Sequence, residues 1–271
     1  MPDPMPDSTP DSVAQRKVCV VTGSSSGIGA ATARLYAERG WNVVVNYAHD
    51  AVAAEAVAED CCALGADVLV MQANVANDAD CRALAAAVQA RWGRCDVLVN
   101  NAGTTKFMHA RKLDGLDAED FQRIYAVNVV GAFQMVRALE PLLRAAAPHA
   151  AVVNMSSIAG LTGMGSSIAY AASKGALNTL TIALARALAP DVRVNAIAPG
   201  FVETPWLKQG LGEGPEGRYD ASVKAYQGRA ALAAVMSPED VARTAWYLGV
   251  DAVKTTGEVI SVDAGAKLLP V

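Results

Sequence analysis

The chain has 271 residues, 52% of them hydrophobic, and 23 basic against 27 acidic side chains give it a formal net charge of -4. That length suits one large α/β unit with an ample core, and the mild acidity argues against nucleic-acid or anionic-membrane partners. No apolar run approaches the roughly 18 residues of a membrane-spanning helix, and five cysteines without Cys-x-x-Cys spacing argue for a reduced, cytoplasmic protein rather than a disulfide framework or zinc site.

Met1 to Asp11 is rich in proline and aspartate, with neither the basic start nor the apolar stretch of a signal peptide, so residues 1–15 read as a disordered lead-in. From residue 17 onward apolar runs alternate with helical stretches. Strands are expected at 17–22, 42–47, 67–72, 96–100, 150–156, 192–197 and 258–262. Runs such as Asn42-Val43-Val44-Val45 suit strands buried on both faces. Alanine-rich helices are expected at 51–64, 78–92 and 169–189. Asp50 is placed to cap the first of these. The alternation reads as repeated βαβ units, hence one α/β domain, 16–271, with a parallel sheet. Residues 201–236 break the rhythm with five glycines and Pro215, and carry Phe201, Trp206, Leu207 and Tyr226 as apolar surface. So long an irregular stretch reads as a functional or mobile segment, or as a connection packed on the core. Ser237-Pro238-Glu239-Asp240 then restarts a helix.

Two motifs carry chemistry. Thr22-Gly23-Ser24-Ser25-Ser26-Gly27-Ile28-Gly29 follows the apolar run Val18–Val21 and precedes a helical stretch. Strand, glycine turn and helix are the context in which a dinucleotide pyrophosphate binds, with Gly27 and Gly29 allowing the close approach. Tyr170 and Lys174 lie four residues apart, on one face of the expected helix. An ammonium beside a phenol lowers its pKa from about 10 and makes it an acid/base near neutrality. A solvated Tyr/Lys pair is the plainer reading of those two residues alone. The histidines His49, His109 and His149 stand apart without metal-ligand spacing, so no metal is expected.

Taken in order, these motifs resemble the short-chain dehydrogenase/reductase family. Asn100-Asn101-Ala102-Gly103 matches its motif after the fourth strand, Asn128 its helix asparagine, and Ser157, thirteen residues before Tyr170, its serine. Pro199-Gly200 and the run Thr256 to Asp263 match its later turn and last strand. The resemblance spans residues 16–269, with texture like 3-oxoacyl-(acyl-carrier-protein) reductases and sugar dehydrogenases. It implies a single-domain, Rossmann-type doubly wound parallel sheet in the order 3-2-1-4-5-6-7, helices on both faces, and the cofactor at the carboxyl ends of the strands.

The resemblance also implies the chemistry. A nicotinamide cofactor would exchange a hydride with a carbonyl or alcohol substrate, and residues 201–236 would form the substrate loop. Tyr170 would act as general acid/base, Ser157 would hydrogen-bond the substrate oxygen, Lys174 would tune Tyr170 and bind ribose, and Asn128 would hold a water relay. Gly23, Ser25, Ser26, Gly27, Ile28 and Gly29 would surround the pyrophosphate, with Asn46 and Tyr47 at the adenine ribose and Asn74 and Val75 at the adenine. Asn101, Ala102, Gly103, Pro199, Gly200, Val202 and Thr204 would line the rest. No acid ends the second strand, so NADP(H) is favoured, with Asn46 donating to a phosphate and NAD(H) the alternative. A homotetramer is implied by family helices matching 117–146 and 169–189. A non-catalytic dinucleotide-binding regulator on the same fold is the rival from another class.

Overall fold

The computed structural model describes residues 16–214 and 216–268; the expected lead-in lies outside them. All seven expected strands form, each within about two residues of its reading. They are β1 (Val18–Val21), β2 (Asn42–Tyr47), β3 (Val68–Gln72), β4 (Val97–Asn100), β5 (Ala150–Met155), β6 (Val192–Pro199) and β7 (Val259–Val262). They pair in parallel in the order β3-β2-β1-β4-β5-β6-β7. The order reverses between β1 and β4, so the chain leaves those two strands in opposite directions and opens a crevice at their carboxyl ends.

Helices cover both faces. One layer holds α1 (Gly27–Glu38), α2 (Ala51–Ala63) and α10 (Pro238–Trp246), packed around Tyr36, Trp41 and Trp246, whose rings lie 5.1–5.7 Å apart. The other holds α3 (Asp78–Trp92), α5 (Ala132–Ala145) and α7 (Ile168–Leu188), packed through Leu84, Met135, Leu139 and Leu188. Valines of β1, β4 and β5 feed both layers and are fully buried, as strands covered on two faces require. Cys19 and Cys95 are buried packing residues, and all five thiols are free.

Side-chain caps set the helix starts. Asp50 accepts from the Ala53 N–H, as the sequence predicts, and Ser237 forms a capping box with Asp240. Ser167 accepts from the Tyr170 N–H and so fixes where α7 begins. The stretch 117–146 differs from one continuous helix. It runs as α4 (Ala118–Tyr125), a π-helical turn (Ala126–Gly131) and α5. The widened turn carries Asn128, and Gly131 within it lets Val75 approach to where a Cβ would meet Val75 Cγ2 at 2.7 Å. Between β6 and α10 the irregular stretch contains α8 (Pro205–Leu211) and α9 (Tyr219–Arg229), with the four-residue α6 (Ala159–Thr162) ahead of α7.

Candidate active site

A continuous cleft of about 1170 Å³ runs across the carboxyl ends of the strands. Its floor is built by polar staples. The Thr22 hydroxyl accepts from the Asn101 and Ala102 N–H groups at 3.0 Å, and the Asn101 amide donates to the Thr22 and Gly23 carbonyls at 2.9 Å. The glycine turn after β1 is thus zipped to the turn after β4. Gly23 holds φ +60°, and a Cβ there would come within 2.9 Å of Ala102 Cα. Ser26 precedes α1 without capping it by its side chain, leaving the first-turn N–H groups facing the cleft. The donors, the bare backbone and the helix start fit a pyrophosphate.

Nineteen of the expected site positions line this cleft: Gly23, Ser25, Ser26, Gly27, Ile28, Asn46, Tyr47, Asn74, Val75, Asn101, Ala102, Gly103, Ser157, Tyr170, Lys174, Pro199, Gly200, Val202 and Thr204. Gly29 does not. It faces inward, where a Cβ would meet the Gly23 carbonyl oxygen at 2.4 Å and the Asn101 amide at 2.5 Å. Its task is close packing of α1 against the turn, a correction to its reading as a phosphate contact.

Asn46 requires a second correction. It is 1% exposed, its Oδ1 accepts from the Gly23 N–H, and its Nδ2 donates to the Met71 and Ala73 carbonyls at 3.2 and 3.0 Å. Both amide hydrogens are spent on the end of β3, so Asn46 shapes the turn and does not serve as a phosphate donor. Tyr47, Ala48 and His49 form the cleft wall beyond it.

At the other end, Ser156 and Ser157 part company. Ser156 is buried and donates to Asn178 Oδ1 at 2.5 Å, whereas Ser157 lines the cleft, as its spacing to Tyr170 predicts. Lys174 is 3% exposed, its Nζ donates to the Met155 carbonyl at 2.7 Å and lies 5.5 Å from the Tyr170 ring centre. Asn128 sits behind them and outside the cleft. Its Oδ1 accepts from the Thr104 N–H, and its Nδ2 donates to the Thr104 carbonyl and the Ser173 hydroxyl. Both amide hydrogens are thus spent, and the side chain ties the Thr104 backbone to α7. Gly103 opens the approach to Lys174: a Cβ there would lie 3.7 Å from Nζ.

The ionisation of Tyr170 departs from the sequence reading. Burial pushes its phenol up to about 12, with the Ser157 hydrogen bond working in the other direction. Burial likewise pushes Lys174 down to about 8. Each group is driven towards its neutral form by loss of water. A phenol that stays protonated at neutral pH is suited to donating a proton.

The sequence reading missed Phe107, Met108 and Met164, which line the cleft beside the anticipated Trp206 and Leu207. Only the position of Phe107, four residues past Gly103, hinted at it. Tyr226 is buried instead of facing a substrate freely. It fills the notch at Gly200 and donates to the Asp263 carbonyl at 2.7 Å. His49 and His109 reach the cleft wall, His149 is an exposed loop residue, and no metal-binding cluster exists among the described residues.

A family model described as enoyl-(acyl carrier protein) reductase matches residues 23–267. The protein named ketoacyl reductase 2 of the granaticin polyketide synthase, from Streptomyces violaceoruber, is 41% identical over 93% of this chain and 96% of its own. The 3-oxoacyl-[acyl-carrier-protein] reductase of a Synechocystis species is 35% identical over 92% and 96%. A solved Burkholderia xenovorans structure named as a short-chain dehydrogenase/reductase is 44% identical, covers 94% of this chain and 99% of its own, and superposes with a TM-score of 0.86. The fold and site define an oxidoreductase of the Rossmann type. The chain belongs to the short-chain dehydrogenase/reductase family.

The lowered Lys174 pKa has a stability consequence. An unfolded lysine, near 10.5, binds its proton more tightly than the folded one, near 8. Between those values the unfolded state therefore holds more protons, and stability rises with pH. Lys174→Met removes this dependence. Its urea midpoint relative to wild type should be most favourable at neutral pH and should decline as the pH rises past 8. A constant difference across that window would contradict the burial of a titrating ammonium.

Proposed function

We propose that the protein is a nicotinamide-dependent carbonyl reductase whose substrate is a 3-oxoacyl thioester or another ketone. The observation that supports this best is that Tyr170 hydrogen-bonds Ser157 and lies with its ring centre 5.5 Å from Lys174 Nζ, all three lining the cleft that the glycine turn also lines. When bound, the reduced nicotinamide supplies a hydride to the carbonyl carbon. Tyr170 donates its phenolic proton to the carbonyl oxygen, on which negative charge develops, and the Ser157 hydroxyl hydrogen-bonds that oxygen. Lys174 keeps donors beyond the one spent on Met155, and these hold the ribose hydroxyls and stabilise the tyrosinate after transfer. Asn128 anchors the Thr104 backbone and Ser173, and its main chain holds the water through which the proton is resupplied. The non-catalytic alternative has no use for Ser157 facing the cleft beside Tyr170.

The cofactor preference we propose is NADP(H). Among the described residues Asp50 is the one carboxylate on the cleft wall after β2, and it caps α2 through Oδ1 instead of standing at the end of β2, so repulsion of a 2′-phosphate is weakened. With Asn46 spent, the donors left for that phosphate are Ser25, Tyr47 and His49, which makes the discrimination modest, about 1–2 kcal/mol. Free thiols throughout fit the reducing cytoplasm, and among the described residues no helix is long and apolar enough to cross a membrane.

Assaying acetoacetyl-N-acetylcysteamine thioester with each reduced cofactor tests the reading. We expect cofactor oxidation matched by hydroxyacyl product, faster with NADPH at low cofactor concentration. Binding of either cofactor without turnover of any ketone would favour the regulator, and faster reduction with NADH would reverse the preference.

The assembly we propose is a homotetramer. Phe121, Tyr125 and Phe133 on α4 and α5 and Ile182 on α7 are exposed, apolar faces of the helices that the family resemblance assigns to subunit pairing. Light scattering at micromolar concentration should give four times the chain mass, and a monomer would contradict this assembly.

A further inference from the structure

Phe107, Trp206 and Gly210 form one built feature on the side of the cleft that faces Tyr170. Trp206 and Gly210 are one turn apart on α8 and therefore share a face. Phe107 fits into the notch that Gly210 leaves: a Cβ at Gly210 would lie 1.9 Å from Phe107 Cε2, and 2.1 Å from its Cζ. The Phe107 ring centre is 5.4 Å from that of Trp206, which is 6.0 Å from that of Tyr170, at tilts of 55° and 45°. The three rings make a continuous aromatic wall ending at the proposed proton donor.

The wall is braced. The Met108 N–H, next to Phe107, donates to the Ser166 carbonyl at 2.8 Å, and the Thr105 and Ser166 hydroxyls bond each other at 2.7 Å. These bonds tie the Phe107 loop to the segment preceding α7, where a Cβ at Gly165 would lie 3.4 Å from Tyr170 Cδ1. Trp206 nevertheless keeps 38% of its surface exposed, so an apolar face remains uncovered beside the reacting phenol. The hydroxyls of the bracing segments are already partnered. Thr105 and Ser166 hold each other, and Ser167 accepts from the Tyr170 N–H.

A polyhydroxylated sugar placed here would lose water without gaining matching partners. A linear acyl chain would gain only buried area. A planar or cyclic apolar group gains the area and, beyond it, ring–ring contact of about 0.5–1.5 kcal/mol. Resting on the carbonyl-reductase reading above, we infer that this wall selects ketones carrying a cyclic, aromatic or preformed-ring group next to the carbonyl, with Trp206 the specificity-determining residue.

The test compares kcat/KM for 1-tetralone, a bicyclic aryl ketone, with that for acetoacetyl-N-acetylcysteamine thioester, using NADPH and the full chain. Wild type should prefer the bicyclic ketone. Trp206→Ala should lower the bicyclic-to-linear ratio about tenfold or more, while Trp206→Phe keeps most of it. Direct calorimetric titration of 1-tetralone into the protein–NADP⁺ complex should show the same order. A wild-type preference for the linear thioester, or an unchanged ratio in Trp206→Ala, overturns the ring-selecting wall while the carbonyl-reductase reading stands. Failure to reduce either ketone with the cofactor bound overturns both.

Discussion

An ammonium group buried at the seam between a helix and the end of a strand is the constraint on which the site depends. Lys174 reaches out of α7 to the carbonyl of Met155, the last residue of β5. To do so α7 must lie very close to the chain leaving β5. Gly160 makes this approach feasible, since a Cβ there would meet the Lys174 carbonyl carbon at 2.5 Å. The same closeness places Ser157 on the cleft wall and puts Ser156 inside, against Asn178. Burial penalises the charge, which explains why the lysine pKa falls. Asn128 supports the arrangement from the rear, bonding Ser173, the residue before the lysine, and the Thr104 backbone.

The other half of the cleft is held by neutral side chains acting as backbone staples. Thr22, Asn46 and Asn101 together join the carboxyl ends of β1, β2, β3 and β4. Strand ends have carbonyl and amide groups that the ladder no longer pairs, and each of these residues satisfies two or more of them in a dry setting. The turn is therefore rigid before any ligand arrives, which lowers the ordering cost of binding. The facing part of the cleft is lined by more irregular chain: the Phe107 loop, α8 and α9.

Much of this was legible in the sequence, for identifiable reasons. Buried parallel strands are written as unbroken valine runs, so β1, β2 and β5 announce themselves. Asp50 and Ser237 are local signals and act locally, as caps. Tyr170, Lys174 and Ser157 share helix spacing and chain order with a known family and come together on one wall. Side chains whose partners are distant in sequence were harder. Asn46 looked like a free donor because the β3 carbonyls that occupy it lie 25 and 27 residues away. Gly29 looked like a phosphate contact because spacing does not tell the inward face of a helix start from the outward one. The π turn at Asn128 left no compositional mark beyond an awkward Val-Asn-Val. The phenol pKa reversed because an i, i+4 rule counts the lysine charge and omits the desolvation of both groups.

The central claim is that Tyr170 is the proton donor in a site whose cofactor cleft is independently assembled. Tyr170→Phe keeps the ring that packs against Trp206 and removes only the hydroxyl, so cofactor calorimetry and single-turnover ketone reduction on that one variant read the claim directly. The account predicts cofactor affinity within a few-fold of wild type and a reduction rate lower by at least about 100-fold. Retention of most of the wild-type rate would show that the proton comes from elsewhere.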